Sequence, residues 1–266
     1  MDLELKGKVA LITGGSRGIG KAVAKQLARE GVSVAIAARD KAVLDDAAAE
    51  IAKETGAKAK GYTTDTGDDV AVKALIASVM KEFGRIDILV NCAAQPGGQA
   101  KPPTLAEITN EAFFADMNVK VLGYLRAARE VAPIMAKQGG GRIINISGLA
   151  ARNTGSTIGS MRNVSVAALT KNLADELAPQ NIQVVCVHPS LTRTEKTAGV
   201  VERQAKAQGI SAQDVEKKMA SKSLVGRLIT SEDIAALVTF LASPKAISVN
   251  GDSIAAGGGW PGPIHY

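Results

Sequence analysis

The sequence predicts an α/β fold: a doubly wound, parallel, seven-stranded sheet in three layers, built by a single domain over residues 1–266. Three observations carry that expectation. Short apolar runs alternate with helix-length amphipathic segments along nearly the whole chain, the order that builds parallel sheets through right-handed crossovers. Hydrophobic residues make up 46% of the chain but aromatics only 3%, so the core is built from Ala, Val, Ile and Leu, as in strands buried on both faces. No internal repeat, low-complexity tract or linker divides the 266 residues, a length ordinary for one α/β domain.

Strands are expected at Lys8–Thr13, Val32–Ala38, Ala57–Thr63, Ile86–Cys92, Arg142–Ser147, Ile182–His188 and Ser253–Ala256. Helical patterns fill the intervals at Gly18–Glu30, Lys41–Thr55, Asp68–Phe83, Asn110–Lys137, Thr157–Ala178 and Ser231–Ala242. The long polar segment of about 193–227, with helical stretches that include Ala212–Lys222, is expected to form a substrate lid. It contains no aromatic residue, which disfavours a stacked aromatic substrate.

In such a sheet a ligand sits outside the carboxyl ends of the strands, where the strand order reverses. The first strand ends in Thr13-Gly14-Gly15-Ser16-Arg17-Gly18-Ile19-Gly20. Glycine lets the backbone turn tightly and admit a pyrophosphate, and the helix that follows presents free N–H groups to it. The spacing is Gly-x-x-x-Gly-x-Gly, not the commoner Gly-x-Gly-x-x-Gly. The later strands end in Ala38-Arg39, Asp65-Thr66, Asn91-Cys92-Ala93-Ala94, Ser147-Gly148 and His188-Pro189-Ser190-Leu191-Thr192.

Taken in order, these motifs resemble those of the classical short-chain dehydrogenase/reductase family, a Rossmann-type fold, over nearly the whole chain. The glycine turn is similar to the family's Thr-Gly-x-x-x-Gly-x-Gly, and Asp65 matches its adenine-ring contact. Asn91-Cys92-Ala93-Ala94 resembles its Asn-Asn-Ala-Gly, and Asn118 matches its active-site helix asparagine. Pro189-Ser190-Leu191-Thr192 resembles Pro-Gly-x-x-Thr, and Gly257-Gly258 the C-terminal Asp-Gly-Gly. The resemblance implies a dinucleotide held by Gly14, Ser16, Arg17, Gly18, Ile19, Gly20, Arg39, Asp65, Thr66, Asn91, Ala93, Pro189 and Thr192. Where the family places an acid to select NAD, this chain has Ala38 followed by Arg39. An Arg pairs with a 2′-phosphate, so NADP(H) is favoured, while the neighbouring Asp40 keeps NAD(H) open. The resemblance also implies a homotetramer, or a dimer, formed through the Asn110–Lys137 and Thr157–Ala178 helices, with Ala167, Ala168 and Ala174 permitting close packing.

Family members act on carbonyls or alcohols with a Ser, a Tyr and a Lys, the last two spaced Tyr-x-x-x-Lys on one helix face. This sequence has no such pair. Its tyrosines are Tyr62, Tyr124 and Tyr266, and none lies between Ser147 and Leu177. Counting back without gaps from Leu169–Leu177 puts Gly159 at the Tyr position and Asn163 at the Lys position. Counting forward from the serines gives Met161 and Ser165 instead, and the gapless helix is preferred. Gly159 is then expected to leave room for a phenol ring, Asn163 to bond ribose hydroxyls, and Ser147 and Asn118 to touch the substrate. Arg162 is expected to face solvent and His188 to be structural, while His265 and Tyr266 lie in a tail that can approach a neighbouring subunit. The expected activity is NADP(H)-dependent oxidoreduction of a small-molecule carbonyl or alcohol by a non-standard proton relay. The alternatives are an inactive nucleotide-binding protein, as sensor or oligomer partner, and a lyase or isomerase on the same fold.

The net charge of +6 is spread over scattered Lys and Arg interleaved with acids, a pattern that excludes a nucleic-acid stripe. The N-terminus lacks a signal-peptide pattern and no run reaches membrane-spanning length, so a cytoplasmic protein without membrane partners is expected. Cys92 and Cys186 are too few for a disulfide framework or a metal site and are expected to be small core residues.

Overall fold

The computed structural model describes residues 1–95, 102–259 and 261. Strands β1 (Val9–Thr13), β2 (Ser33–Ala38), β3 (Ala59–Thr63), β4 (Ile88–Asn91), β5 (Gly141–Ile146) and β6 (Ile182–Pro189) are followed by the two-residue strands β7 (Thr192–Arg193) and β8 (Ile229–Thr230) and by β9 (Ser253–Ala256). Seven of them form one parallel sheet in the order β3-β2-β1-β4-β5-β6-β9, and β7 pairs with β8 apart from it. Each predicted strand begins and ends within two residues of the observed one.

The strands alternate between two cores. Ala10 and Ile12 of β1, Val34 and Ile36 of β2, and Ile88 and Val90 of β4 face helices α1 (Gly18–Arg29) and α2 (Lys41–Thr55). Leu11, Ala35, Ala37 and Leu89 face α3 (Asp69–Phe83) and the helices beyond it on the opposite side. Strands buried on both faces read as continuous apolar runs, which is why composition alone pointed to a parallel sheet. Asp68 caps α3 by accepting from Val70 N and Ala71 N at 2.7 and 3.1 Å, and Gly84 ends it in the left-handed conformation.

The predicted helix Asn110–Lys137 is instead three pieces. Helix α4 (Asn110–Met117) passes into a π turn at Asn118–Leu122 and continues as α5 (Gly123–Lys137). The cause is a side chain: the Arg126 guanidinium donates to Asn118 O at 3.1 Å, to Asn118 Oδ1 at 2.7 Å and to Thr66 O at 3.2 Å. A carbonyl so engaged is drawn out of the regular ladder, and the turn accommodates one extra residue.

The remaining helices are α6 (Thr157–Leu177), α7 (Thr197–Gln208), α8 (Ala212–Ala220) and α9 (Ser231–Leu241). Helix α9 joins α1 and α2 on their face, and α5 and α6 join α3 on the other. The segment predicted as a lid holds α7 and α8, with a small core of its own from Val201, Val215, Met219 and Leu228. Ala174, expected at a subunit contact, is buried in the chain's own core, whereas Ala168 is exposed and Ala167 half-buried. Among the described residues no helix is long and apolar enough to cross a membrane.

The turn after β1 is close-packed. A Cβ on Gly20 would collide with the carbonyl oxygen of Gly14, a backbone atom that cannot step aside. Gly20→Ala is therefore expected to cost about 1–3 kcal/mol and to lower Tm by roughly 2–10 °C. Thermal unfolding monitored by circular dichroism checks this, and an unchanged Tm would show that the turn relaxes freely.

Candidate active site

The carboxyl ends of the strands enclose a cavity of about 840 Å³. Of the residues expected to hold a dinucleotide, Gly14, Ser16, Arg17, Gly18, Ile19, Gly20, Arg39, Asp65, Thr66, Ala93, Pro189 and Thr192 all line it. Asn91 does not. It is fully buried beneath the cavity, its Nδ2 donating to Asn145 Oδ1 at 3.0 Å, while Asn145 Nδ2 donates to Thr170 Oγ1 at 3.0 Å. This chain of amides ties β4 to β5 and α6, so Asn91 shapes the strand end rather than the cavity wall.

The glycine turn is built for an anion. Gly18 lies at φ +53 and opens α1, whose N-cap residue Arg17 supplies no side-chain cap. The Gly18 N–H instead donates to both oxygens of Glu195, at 3.0 and 3.2 Å, so a carboxylate from the lid segment occupies the positive end of the helix. At the end of β2, Arg39 is exposed and makes no ion pair among the described residues, whereas Arg17, expected to add a second cation, is paired with Asp40 at 3.1 Å. Asp65 folds back to accept from Gly67 N at 2.8 Å, which fixes the loop after β3.

The opposite end of the cavity carries Ser147, Asn163, Lys120 and Arg162. Ser147 Oγ donates to Asn163 O at 3.0 Å, so the hydroxyl is directed at α6. Lys120, only 4% exposed, donates from Nζ to Ser147 O at 2.9 Å and to Asn163 Oδ1 at 3.0 Å. Burial, reinforced by the nearby Arg162 cation, pushes the Lys120 ammonium down to about 7.

Arg162 departs from expectation. Its side chain is 13% exposed rather than solvent-facing, because Asp116 of α4 covers it and accepts from Nη1 with both oxygens at 2.8 Å. Gly159 also departs: it does not line the cavity, and among the described residues the Ser156 side chain packs against it. Its N–H donates to the Ser156 hydroxyl that caps α6, and a Cβ on Gly159 would lie 2.7 Å from that oxygen. Asn118 does not line the cavity either. Its Nδ2 donates to Gly67 O at 3.0 Å and its Oδ1 accepts from Arg126, so the side chain holds the π turn.

Met161 and Ser165, the positions of the alternative register, also stand outside the cavity wall, while Asn163 is on it. His188 is buried with Gly148 N donating to its Nδ1 at 3.4 Å, and burial pushes its imidazolium down to about 4, consistent with a structural histidine. Cys186 is buried as expected, but Cys92 lines the cavity, its thiol pushed up to about 11 by burial. His265 and Tyr266 lie outside the described residues.

A family model described as Enoyl-(Acyl carrier protein) reductase matches residues 14–261. The chain belongs to the short-chain dehydrogenase/reductase family. It is 36% identical over 256 residues to the short-chain reductase protein NovJ of Streptomyces niveus, covering 95% of this chain and 94% of that one. It is 34% identical over 261 residues to dehydrogenase/reductase SDR family member 4 of Oryctolagus cuniculus, covering 97% and 95% of the two chains. The crystal structure of L-sorbose reductase from Gluconobacter frateurii complexed with NADPH and L-sorbose superimposes with a TM-score of 0.92 at 29% identity, over 99% of this chain and 100% of that one. As a short-chain dehydrogenase/reductase the chain is an oxidoreductase with the family's three-layer nucleotide-binding fold.

Among the cavity residues that the sequence reading did not single out, Lys120, Thr194 and Glu195 carry polar groups. Lys120 had a signal, a single charge inside Val119-Lys120-Val121-Leu122-Gly123-Tyr124-Leu125. Glu195 had none, since its partner Gly18 is 177 residues away.

Two outcomes follow from these charges. Because one N–H cannot serve two anions fully, Glu195→Ala is expected to tighten NADPH binding about two- to fivefold. Calorimetric titration measures this, and an unchanged Kd would show that the carboxylate does not compete. The Lys120 ammonium in turn is held below the ordinary lysine value of 10.5, so its buried charge opposes folding fully at and below pH 7 and the penalty fades as pH rises toward 10.5. Relative to Lys120→Met, the unmodified protein is expected to gain up to about 1.4 kcal/mol per pH unit between those limits. Urea unfolding at pH 7 and pH 9.5 reads the difference, and parallel pH profiles would contradict it.

Proposed function

We propose that this chain is an NADP(H)-dependent oxidoreductase acting on a small-molecule carbonyl or alcohol through a proton path that uses neither position 159 nor position 163 as donor. The observation that carries the cofactor half is Arg39, unpaired among the described residues and set on the wall of the cavity that the glycine turn opens into. A dinucleotide fits the residues present. The turn is glycine where a Cβ would strike backbone, as at Gly14 against Ala93 N at 2.8 Å, and the Gly18 N–H already takes an anion. Gly18, Ile19 and Gly20 would hold the pyrophosphate, Arg39 the 2′-phosphate, Asp65 and Thr66 the adenine side, and Ala93, Pro189 and Thr192 the nicotinamide side. When bound, the reduced nicotinamide supplies a hydrogen with two electrons to a carbonyl carbon.

The chain's residues then have separate tasks. The turn and Arg39 fix the nucleotide, and the lid segment covers the substrate side. On this reading the proton travels by a path other than the family's phenol, which is supported by the engagement of the Gly159 N–H with the Ser156 hydroxyl at the start of α6. The complex of L-sorbose reductase, a structural neighbour, with NADPH and L-sorbose supports the same nucleotide and a polar carbonyl substrate. We further propose a cytoplasmic homotetramer, supported by exposed apolar Phe114, Leu122, Met161 and Val164 on or beside α4, α5 and α6.

The experiment is NADPH oxidation at 340 nm against a panel of ketoses, keto acids and simple ketones, in parallel with nucleotide binding. Arg39→Ala is expected to weaken NADPH about tenfold and NADH much less. Equal loss for both nucleotides would overturn the NADP(H) assignment, and tight NADPH binding with no turnover of any carbonyl would overturn the oxidoreductase reading.

A further inference from the structure

We propose that Lys120 is the catalytic residue that exchanges a proton with the substrate oxygen, an ammonium delivered by the π turn between α4 and α5 rather than by helix α6. The inference rests on the oxidoreductase reading above. Lys120 lines the cavity beside Ser147 and Asn163, and its Nζ is anchored by two carbonyl-type acceptors, Ser147 O at 2.9 Å and Asn163 Oδ1 at 3.0 Å. An ammonium has three N–H donors, so one remains without a protein partner among the described residues. Neither anchor is a carboxylate. The nearby acid Asp116 is held by both oxygens to Arg162.

The neighbouring groups do not offer an alternative donor. Arg162 stays charged at any working pH. His188 of β6 is held down to about 4 and accepts from Gly148 N, so it is neutral near pH 7. The thiols of Cys92, after β4, and Cys186, on β6, are both pushed up by burial. Tyr124 of α5 is buried and donates its hydroxyl to Ile146 O at 2.9 Å. Ser147 Oγ is directed at Asn163 O. Lys120, by contrast, is pushed down to about 7, where a group both gives and regains a proton readily.

The step balances. As the carbonyl carbon gains its hydrogen and two electrons, the C–O π pair moves to oxygen. That oxygen takes a proton from Lys120 Nζ: an N–H bond breaks, an O–H bond forms, and the products are an alcohol, a neutral amine and an oxidised nicotinamide. The amine recovers its proton from water through the cavity. In the oxidative direction the neutral amine accepts the alcohol proton.

The test compares the unmodified protein with Lys120→Met and Lys120→Arg. The protein is labelled with ¹³Cε-lysine and titrated by NMR without nucleotide, the Lys120 signal being assigned by its loss in Lys120→Met. NADPH binding and the pH profile of kcat are measured alongside. The expected result is a lysine with a midpoint near 7, a kcat profile that breaks at the same pH, and a loss of about 10²–10⁴ in kcat in both variants with NADPH affinity nearly unchanged. Arginine keeps the charge and the anchoring but cannot release the proton, so it rescues a structural lysine and not a catalytic one. If Lys120→Met does not fold, the Arg variant and the titration decide. A Lys120 midpoint above 9, or full kcat in Lys120→Arg while the unmodified protein turns over, overturns the role of Lys120 and leaves the oxidoreductase reading intact. No carbonyl turnover by the unmodified protein, with NADPH bound, overturns that reading and this proposal with it.

Discussion

The close passage of β1 past the end of β4 is the constraint on which the site depends. Thr13 Oγ1 accepts from Cys92 N at 3.2 Å and from Ala93 N at 3.3 Å, clamping the two strand ends together just where they diverge. Gly14 follows at once at φ +70, and a Cβ there would sit 2.8 Å from Ala93 N. With no side chain to hold the strands apart, the turn lies flat against Ala93 and α1 starts immediately beyond it. Its first amide then opens into the crevice between β1 and β4, where the strand order reverses. The anion site is thus a result of backbone packing, with no charged side chain from the turn needed to make it.

That origin explains what the sequence could disclose. Strand ends, glycine spacing and apolar alternation are local properties, and twelve of the thirteen residues they singled out for a dinucleotide line one cavity. Asn91 was misplaced because its motif position says nothing of which way an amide turns, and here it turns under the sheet toward Asn145. The chemical end of the cavity depends on contacts between distant segments. Arg162 was assigned to solvent from α6 alone, but Asp116 of α4 covers it. The space beside Gly159 was counted as open, but Ser156 folds back over it as a helix cap. Lys120 turns inward on a π turn held by Arg126, which reaches to Thr66 O in another segment. No periodicity in 110–137 announces that turn.

The two charges buried near Ser147 are handled differently. Arg162 has a carboxylate partner with good geometry, so its positive charge is neutralised locally. Lys120 has only two neutral oxygens, which orient an ammonium without cancelling its charge. An ion in that setting lowers its desolvation cost by losing its proton. The same pair of acceptors that holds Nζ in place therefore leaves its protonation loosely poised, with the Arg162 cation adding to the bias.

Positions 120 and 163 consequently constrain each other. Asn163 accepts from Lys120 at 3.0 Å through its amide oxygen, an acceptor that meets an ammonium without repulsion. A lysine at 163 in the same place would set two ammonium groups within a few ångströms, a repulsion of about 4 kcal/mol at 4 Å for an effective dielectric of 20. One of the two would then have to discharge or move away. An asparagine at 163 is therefore the complement of a lysine at 120. The amide on α6 gives the cavity a single buried ammonium, carried by the turn before α5.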